Sequence, residues 1–321
     1  MIATESTMNP TQYQEMFRSL ASALQDHLTP ASAPVDEAAV RQIAQEIVDA
    51  AKLPRPLAVT VNNGPAVTLE GRQHYQFAEL MKFVEEGHKN ILMVGPAGSG
   101  KTTLAKDLAK ALARTFAFIS LSAGVTETHL FGRMLPQSDG TFAYVESPFV
   151  HIYRSGGVFL FDELDAADSN VMVSVNAALA NGVLCNPVTG EVIERHKKCL
   201  ILAAANTFGR GGDHMYVGRN ALDAATLDRF VLCTLHVGYD SELESEIARS
   251  ILGPSQADVL LGWVAVLREK IAANRLRRIA STRLIVNSAA AMKRGATITD
   301  VHRRYLQDWS QDELAKFGGA K

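Results

Sequence analysis

The feature that most limits how this chain can fold is the segment Gly95–Thr102, which reads GPAGSGKT. It fits the pattern G-x-x-x-x-G-K-[ST], follows the apolar segment Ile91–Val94 and opens the helical segment Thr103–Ala113. A loop in this setting binds phosphate through backbone N–H groups, because glycines let the backbone turn those groups inward. The helix N-terminus adds a partial positive charge. The segment therefore predicts an α/β fold with a triphosphate site.

Individual loop residues have predicted roles at a triphosphate that carries Mg²⁺. Lys101 is predicted to reach the β- and γ-phosphates, and Thr102 is predicted to give its hydroxyl to Mg²⁺. The residues predicted to bind the nucleotide are Gly95, Pro96, Ala97, Gly98, Ser99, Gly100, Lys101, Thr102, Thr103 and Asp162. The loop itself does not select adenine over guanine, so the choice between ATP and GTP stays open.

Two carboxylates follow a second apolar segment, Val158–Phe161. Ligands of open α/β sheets bind outside the carboxyl ends of the strands, where Asp162 and Glu163 are expected to lie. Asp162 is predicted to organise Mg²⁺ together with Thr102, and Glu163 to polarise the attacking water. The nearby Asp165 and Asp168 are expected to be helix caps or solvated charges.

Asn206 closes a further apolar segment, Ile201–Ala205. An asparagine at the end of a strand is often a turn former. Here it lies between the carboxylate pair and a downstream arginine. We therefore predict that its amide orients the attacking water or contacts the γ-phosphate.

The rest of the pattern predicts a parallel sheet followed by helices. Apolar segments separated by helical ones indicate strands buried on both faces. The predicted strands are Ile91–Val94, Phe116–Leu121, Val158–Phe161, Leu200–Ala205 and Phe230–Leu235. The predicted C-terminal helices are Ser241–Leu252, Ala257–Ala273, Thr282–Arg294 and Thr299–Leu314. The expected fold class is α/β, a parallel sheet with helices on both faces and a small all-helical C-terminal lid domain.

Three segments are expected along the chain. Residues 1–52 are predicted to be a helical segment, which the prolines at 54 and 56 end. Its role is open between a docking helix for a partner and a helix packed on the main domain, which is the commoner outcome. Residues 53–237 are predicted to form the α/β nucleotide-binding domain, and residues 238–321 the lid. A short strand pair around the turn Asn62–Gly64 is expected to open the α/β domain.

Charge and apolar content restrict the partners. The net charge of −2 gives no overall footprint for nucleic acid, and no apolar run has the length of a membrane span. The N-terminus lacks a signal peptide, so a cytoplasmic protein is expected. Residues 268–304 carry ten Lys or Arg against Glu269 and Asp300. Such an excess can mark a nucleic-acid surface, although a solvated face or a subunit junction is the more usual explanation.

Together these residues resemble the AAA+ ATPases, and within them the MoxR/CobS-like, dynein-related group. The resemblance runs from about Gly71 to Arg294 and depends on four motifs: GPAGSGKT, VFLFDELD, ILAAANT and the segment Ala221–Phe230, which ends in LDRF. Two predicted hairpin insertions, one between Leu130 and Pro148 and one over Val183–Lys198 with its turn at Thr189-Gly190, are similar to insertions of this group.

The resemblance implies a catalytic arginine supplied by a neighbouring subunit. Arg229 is the first candidate for this arginine finger and Arg219 the second, with an ion pair to Asp228 or Asp223 as the structural alternative for Arg229. Arg283 matches the second sensor of the family, although Thr282 stands where proline is usual. By this resemblance Glu163, Asn206, Arg229 and Arg283 are the expected catalytic residues.

The resemblance also implies a function. We expect a homo-oligomeric ring, a hexamer, that binds Mg²⁺ and ATP and uses ATP hydrolysis to remodel a protein client or adaptor. The ring size and the client are open. One alternative is a nucleic-acid motor or restriction-type subunit, and another is a nucleotide-gated scaffold with little turnover.

Overall fold

The computed structural model describes residues 57–59, by their backbone alone, and residues 67–317. The predicted helical segment at residues 1–52 and the predicted turn at residues 62–64 lie outside these ranges. Contacts divide the chain into two units between Gln73 and His74. In the first unit β1 (Leu57–Val59) pairs antiparallel with β2 (Val67–Leu69). The domain boundaries expected near residues 52 and 237 stay predictions.

The second unit begins with alternating helices and strands. In chain order these are α1 (Phe77–Glu85), β3 (Asn90–Val94), α2 (Lys101–Ala111), β4 (Phe116–Ser120), α3 (Glu127–Phe131), β5 (Arg133–Pro136), β6 (Phe142–Val145), α4 (Pro148–Ser155) and β7 (Gly157–Asp162). After a 3-10 turn at Leu164–Ala166 come α5 (Ser169–Asn181), β8 (Val183–Cys185), β9 (Val192–Glu194), β10 (Cys199–Ala205), α6 (Ala224–Asp228) and β11 (Thr234–His236).

Five of these strands form one parallel sheet in the order β11-β3-β10-β7-β4. The three central strands are almost entirely buried, which explains their continuous apolar sequences. The register pairs Val94 with Ala205 and Phe161 with Ala203, so β3, β10 and β7 end beside one another. We call the carboxyl ends of these three strands, with β10 in the middle, the sheet edge. The predicted α/β fold class is confirmed.

Two predicted boundaries in the α/β part were wrong. Helix α2 begins at Lys101 instead of Thr103, so Lys101 and Thr102 belong to its first turn. The last strand begins at Thr234 instead of Phe230. Phe230 is buried in a turn, where its carbonyl accepts a 2.9 Å hydrogen bond from the N–H of Cys233. Its apolar character reflects this packing and not a strand.

The two predicted insertions are both hairpins. The hairpin β5–β6 lies between α3 and α4, and β8–β9 lies between α5 and β10. The second turn is wider than predicted, since the six residues Asn186–Glu191 separate its strands. The hairpins are joined, because Asn186 Nδ2 donates to Tyr144 Oη at 2.7 Å. The second hairpin is also tied to α4, where Arg154 binds Glu191 with both Nη atoms at 2.5 and 2.8 Å.

The helical region that follows comprises α7 (Ser241–Leu252), α8 (Pro254–Ala273), α9 (Thr282–Lys293), α10 (Ile298–Leu306) and α11 (Gln311–Phe317). It has an apolar cluster of its own, which includes Leu260, Leu267 and Trp309. The predicted helix Thr299–Leu314 is in fact two helices. They are separated because Trp309 turns into the core and the N–H of Ser310 donates to Glu313 Oε2 at 2.8 Å, which starts a new helix.

No helix in the described part of the chain has both the length and the apolar content that a membrane span requires.

Candidate functional site

The glycine-rich loop after β3 is packed so closely that it depends on its glycines. A Cβ atom at Gly95 would lie 2.0 Å from the carbonyl oxygen of Val237, and one at Gly98 would lie 2.6 Å from Ser281 Cβ. Gly98 and Gly100 also have φ values of 72° and 96°, which side chains disfavour. The loop can therefore approach a ligand with its backbone.

Lys101 is held at the centre of the sheet edge. Its Nζ donates to the carbonyl oxygens of Gly95 at 2.7 Å and Pro96 at 3.0 Å, and to Asn206 Oδ1 at 3.0 Å. Burial lowers the pKa of Lys101 to about 8, against the opposing attraction of Asp162. The lysine and the asparagine that the sequence predicted for one site are thus in contact.

The two predicted metal ligands are also in contact. Thr102 Oγ1 donates to Asp162 Oδ2 at 2.8 Å, while Asp162 Oδ1 accepts the N–H of Glu163 at 3.0 Å. Nearby in the loop, the buried hydroxyl of Ser99 has no hydrogen-bond partner among the described residues. Two adjacent oxygen ligands beside an unused loop hydroxyl fit a Mg²⁺-bound triphosphate, since Mg²⁺ usually takes one or two protein oxygens together with phosphates and water.

A closed metal site of another kind is not found. Within residues 57–59 and 67–317, no three His, Cys, Asp or Glu side chains group closely enough to hold a metal ion. A Mg²⁺ ion held by Thr102 and Asp162 would take its remaining ligands from phosphate oxygens and water, as Mg²⁺ in nucleotide sites does.

Glu163 adopts a left-handed backbone conformation, with φ 57° and ψ 42°. This conformation costs a residue other than glycine about 1–2 kcal/mol, and such strain concentrates at functional sites. The side chain is 44% exposed, and its Oε1 lies 3.3 Å from Arg219 Nη2. The predicted catalytic base is thus accessible and paired with an arginine of its own chain.

The expectation for Asp165 was wrong, because it is neither a cap nor solvated. Its side chain is 0% exposed. Oδ2 accepts hydrogen bonds from the N–H of Asn206 at 3.1 Å and from the N–H and hydroxyl of Thr207, both at 2.9 Å. Oδ1 lies 3.3 Å from Arg219 Nη1. Asp165 therefore joins the ends of β7 and β10. Asp168 does cap α5, as expected.

Arg229 lies away from this cluster, on the C-terminal end of α6. Its Nε donates to the carbonyl oxygen of Asn176 at 3.3 Å, and its Nη1 donates to that of Ala225. The ion pair considered as an alternative is not among the contacts of the described residues; Asp223 instead caps α6 by accepting from the N–H of Thr226 at 2.8 Å. Backbone carbonyls hold this guanidinium without neutralising its charge.

Arg283 is the second residue of α9, and the start of that helix lies against the loop. Ser281 packs on Gly98, and Arg283 Cβ is 3.9 Å from the position a Cβ of Gly98 would take. The exposed Arg283 is thus near the phosphate loop, where the sequence predicted it.

The basic stretch at residues 268–304 is partly neutralised. Arg268 pairs with Glu244, Arg278 with Asp308 and Glu313, and Arg303 with Asp300. Most of these carboxylates lie outside the stretch, so the sequence count overstated its free positive charge. This pairing is typical of a structural role and weakens the nucleic-acid alternative.

Together, the parallel sheet, the glycine-rich loop that ends in Lys101 and Thr102, and the carboxylates at the end of β7 define a P-loop nucleotide-binding protein. Residues 90–230, a little under half of the chain, match the family model of the AAA domain, dynein-related subfamily. Residues 90–230 are therefore an AAA domain of this subfamily, which confirms the resemblance drawn from the sequence.

The curated relatives of the chain add similarity but no activity. An uncharacterized protein from Staphylococcus saprophyticus is 28% identical over 168 residues, which cover 50% of this chain and 60% of that protein. Another from Staphylococcus haemolyticus is 28% identical over 170 residues, 51% of this chain and 60% of that protein. The chain thus matches about three-fifths of the length of these relatives.

Two solved structures match parts of the chain at low sequence identity. A candidate ATPase from Cytophaga hutchinsonii is 21% identical, with a TM-score of 0.43 over 54% of this chain and 49% of that one. NtrX from Brucella abortus is 13% identical, with a TM-score of 0.48 over 71% of this chain and 52% of that one. Because both scores are below 0.5, the family assignment depends on the family model and on the sheet itself.

Sequence reasoning missed several residues that contact the loop. The N–H of Ala97 donates to Tyr216 Oη at 2.8 Å, and its carbonyl accepts from Tyr239 Oη at 3.0 Å. Both tyrosines lie more than a hundred positions from the loop, so no local motif indicates them. The available signal is their place in the chain. Tyr216 lies in the long segment after Asn206, and Tyr239 lies two residues before the start of α7.

Proposed function

We propose that this protein is an ATPase that works as a ring and remodels a protein partner. The observation that carries the proposal is the contact of Lys101 with Asn206 beside the contact of Thr102 with Asp162. These contacts bring a phosphate-binding cation, two magnesium ligands and a polar sensor to one edge of the sheet. Nucleotide binding follows from membership of the AAA family, while hydrolysis and the ring belong to the proposal.

Binding begins with an exchange of partners at Lys101. In the structure its ammonium group is held by two loop carbonyls and Asn206. A triphosphate offers stronger, charge-assisted hydrogen bonds, so Lys101 turns to the phosphates and Asn206 is freed to contact the γ-phosphate or the water. Thr102 and Asp162 would hold Mg²⁺, which when bound neutralises phosphate charge.

Glu163 performs the proton step. One of its carboxylate oxygens accepts a proton from the attacking water as the water oxygen bonds to the γ-phosphorus and the bond to the ADP oxygen breaks. The accessible position of Glu163 leaves room for that water. The pairing with Arg219 must loosen or turn aside for this step.

Arg229 supplies charge to the site of an adjacent subunit in this proposal. Its guanidinium is bonded only to carbonyl oxygens among its described contacts, so its charge remains available to a γ-phosphate. Because a finger acts across an interface that repeats head to tail, the subunits would close into a ring. A hexamer is the ring we expect.

The client would be a protein that contacts the hairpin β5–β6. This hairpin exposes a group of apolar side chains, with Phe142 64% and Met134 45% exposed. Exposed apolar groups of this kind mark contact surfaces. Their presence on an inserted hairpin favours a protein partner over nucleic acid.

The test separates binding from turnover in the purified chain. Lys101→Ala should weaken Mg²⁺–ATP binding by at least about tenfold, because a charged hydrogen-bond donor is worth about 1.5–3 kcal/mol. Glu163→Gln should bind normally and lose turnover by about 10²–10⁴. Isothermal titration and phosphate release measure the two effects, with the surface variant Asp258→Asn as control. Wild-type protein that neither binds nor cleaves ATP would refute the proposal.

A second candidate function is a nucleotide-gated scaffold with little turnover. The pairing of Glu163 with Arg219 favours it, since a base held by a guanidinium is a slow base. In that case Glu163→Gln would still assemble and bind its partner when ATP is present. Lys101→Ala would abolish both assembly and partner binding. Wild-type turnover that exceeds that of Glu163→Gln a hundredfold would exclude the scaffold.

A further inference from the structure

The phosphate loop is connected to the helical region through Tyr239. The Tyr239 hydroxyl donates to the carbonyl of Ala97 at 3.0 Å, within the loop itself. The ring of Tyr239 also lies under the guanidinium of Arg268, with 4.1 Å between Arg268 Cζ and the ring centroid. Burial raises the pKa of Tyr239 to about 12, so the hydroxyl keeps its proton at neutral pH. Tyr239 can therefore donate to the loop throughout the neutral pH range.

Arg268 continues the connection into α7. Its Nη1 and Nη2 donate to the two carboxylate oxygens of Glu244 at 2.8 and 2.7 Å, and its Nε donates to the carbonyl of Ala280 at 2.7 Å. Glu244 is only 3% exposed. A buried bidentate pair of this kind has a single geometry, so it fixes α7, α8 and the segment before α9 relative to one another.

Thr282 completes the path back to the loop. Its hydroxyl donates to Glu244 Oε1 at 2.5 Å. It is the first residue of α9, between Ser281, which packs on Gly98, and Arg283. The path thus leaves the loop at Ala97 and returns to it at Gly98. Proline, which is usual at this place in the motif that Arg283 resembles, has no hydroxyl and could not make this link.

We propose that Tyr239, Arg268, Glu244 and Thr282 are positioning residues that hold the first turn of α9 against the phosphate loop. When nucleotide changes the position of Ala97, the change reaches α9 through this relay as well as through any contact of Arg283 with phosphate. The inference depends on the proposed function, because it assigns the means by which nucleotide binding at this site moves the helical region.

The links can be removed one at a time with little change in shape. Tyr239→Phe deletes the hydroxyl and keeps the ring under Arg268, and Thr282→Val deletes the hydroxyl of residue 282. Thr282→Ser keeps that hydroxyl and is the matched control. Asp258→Asn removes an exposed ion pair between Arg249 of α7 and Asp258 of α8, the two helices that also carry Glu244 and Arg268. It controls for general effects on the helical region.

The measurements use the full chain with Mg²⁺ and the non-hydrolysable analogue AMP-PNP. In the wild type, the analogue should slow hydrogen exchange at the amides of residues 282–287. Tyr239→Phe and Thr282→Val should each lose most of that slowing and bind the analogue about threefold to tenfold more weakly, as expected for one buried hydrogen bond. Thr282→Ser and Asp258→Asn should behave as wild type.

A double variant tests whether the two links belong to one relay. Tyr239→Phe combined with Thr282→Val should weaken binding no more than the stronger single variant, because a broken path cannot be broken twice. Additive losses of affinity in the double variant, or normal slowing of hydrogen exchange in both single variants, would overturn the relay. The proposed function would still stand in that case, provided that the wild type binds ATP. A wild type that does not bind the analogue would instead refute the proposed function, and the relay with it.

Discussion

Two regions of the molecule are each organised around a buried carboxylate that holds an arginine, and they hold it differently. At the sheet edge, Asp165 Oδ1 lies 3.3 Å from Arg219, which is also 3.3 Å from Glu163. In the helical region, Glu244 binds Arg268 with both oxygens at 2.7 and 2.8 Å. The first arginine is shared over long contacts, and the second is fixed. The sheet edge thus has a contact that can be exchanged, whereas the helical region has one that sets its packing.

The largest expected effect is the loss of ATP turnover when an arginine finger is removed. It would break this comparison if Arg219, and not Arg229, proved to be that finger. Under the proposed function, Arg229→Ala should lower ATP turnover by about 10³–10⁵, because a trans-acting arginine stabilises the charge of the transition state. Arg219→Ala should change turnover far less. Mixing Arg229→Ala with Glu163→Gln subunits should restore part of the activity in a phosphate-release assay. Loss of activity in Arg219→Ala but not in Arg229→Ala, with recovery when Arg219→Ala subunits are mixed with Glu163→Gln subunits, would instead make the shared arginine the finger.

The next effect concerns the two carboxylates themselves. Asp165→Ala and Glu244→Ala should each lower the free energy of unfolding by about 3–5 kcal/mol. Glu244→Ala leaves the Arg268 guanidinium without its carboxylate. Asp165→Ala removes one of the two carboxylates at Arg219 and leaves the donors of Asn206 and Thr207 unpaired. Urea denaturation followed by circular dichroism measures this loss. Asp165→Asn is the milder control, since its amide oxygen can still accept from Thr207. A loss below about 1 kcal/mol in both alanine variants would contradict the role given to these pairs.

Replacing the arginines with lysine sharpens the comparison. Arg268→Lys should cost about 2 kcal/mol of stability, since an ammonium group cannot reproduce a bidentate contact and the additional bond to Ala280. Arg219→Lys should cost less than about 1 kcal/mol, because its contacts are single and long. Denaturation midpoints of the two variants, measured side by side, decide the matter. Equal costs would mean that the two arginines are held equally firmly.

The smallest effect is a dependence on pH that only the sheet edge should show. The pKa of Lys101 is lowered to about 8 in the free protein, and a bound triphosphate favours its charged form and raises that pKa. Binding therefore takes up a proton above pH 8, and affinity should fall by up to about tenfold per pH unit there. Titrations from pH 7 to pH 9.5 measure the slope. Lys101→Ala should remove it, and a slope that persists in this variant would assign it to another group.

Much of the sheet edge was predictable from the sequence because strand ends define it. Asp162 and Asn206 each follow an apolar segment directly, and Lys101 and Thr102 end the glycine-rich loop that follows a third one. Parallel strands bring such positions together. The structure places these four side chains in two contacting pairs. The roles assigned to them remain predictions until they are tested in solution.

The remaining contacts depend on pairings that no local pattern contains. Asp165 differs from a helix cap only because Asn206 and Thr207, some forty positions later, donate to it. Tyr239, Glu244 and Thr282 are separated in the same way, and each has an ordinary sequence setting. The break between α10 and α11 escaped prediction because the burial of Trp309 overrides a continuous helical pattern.

The hydrogen bond between Asn186 and Tyr144 connects the two hairpins mechanically. A load applied at the tip of β5–β6, where Phe142 is exposed, would reach β8–β9 through this hydrogen bond. From there residues 195–198 lead directly into β10, which ends at Ala205, immediately before Asn206. Under the proposed function, this single strand through the centre of the sheet would link a client at the outer hairpins with the nucleotide site.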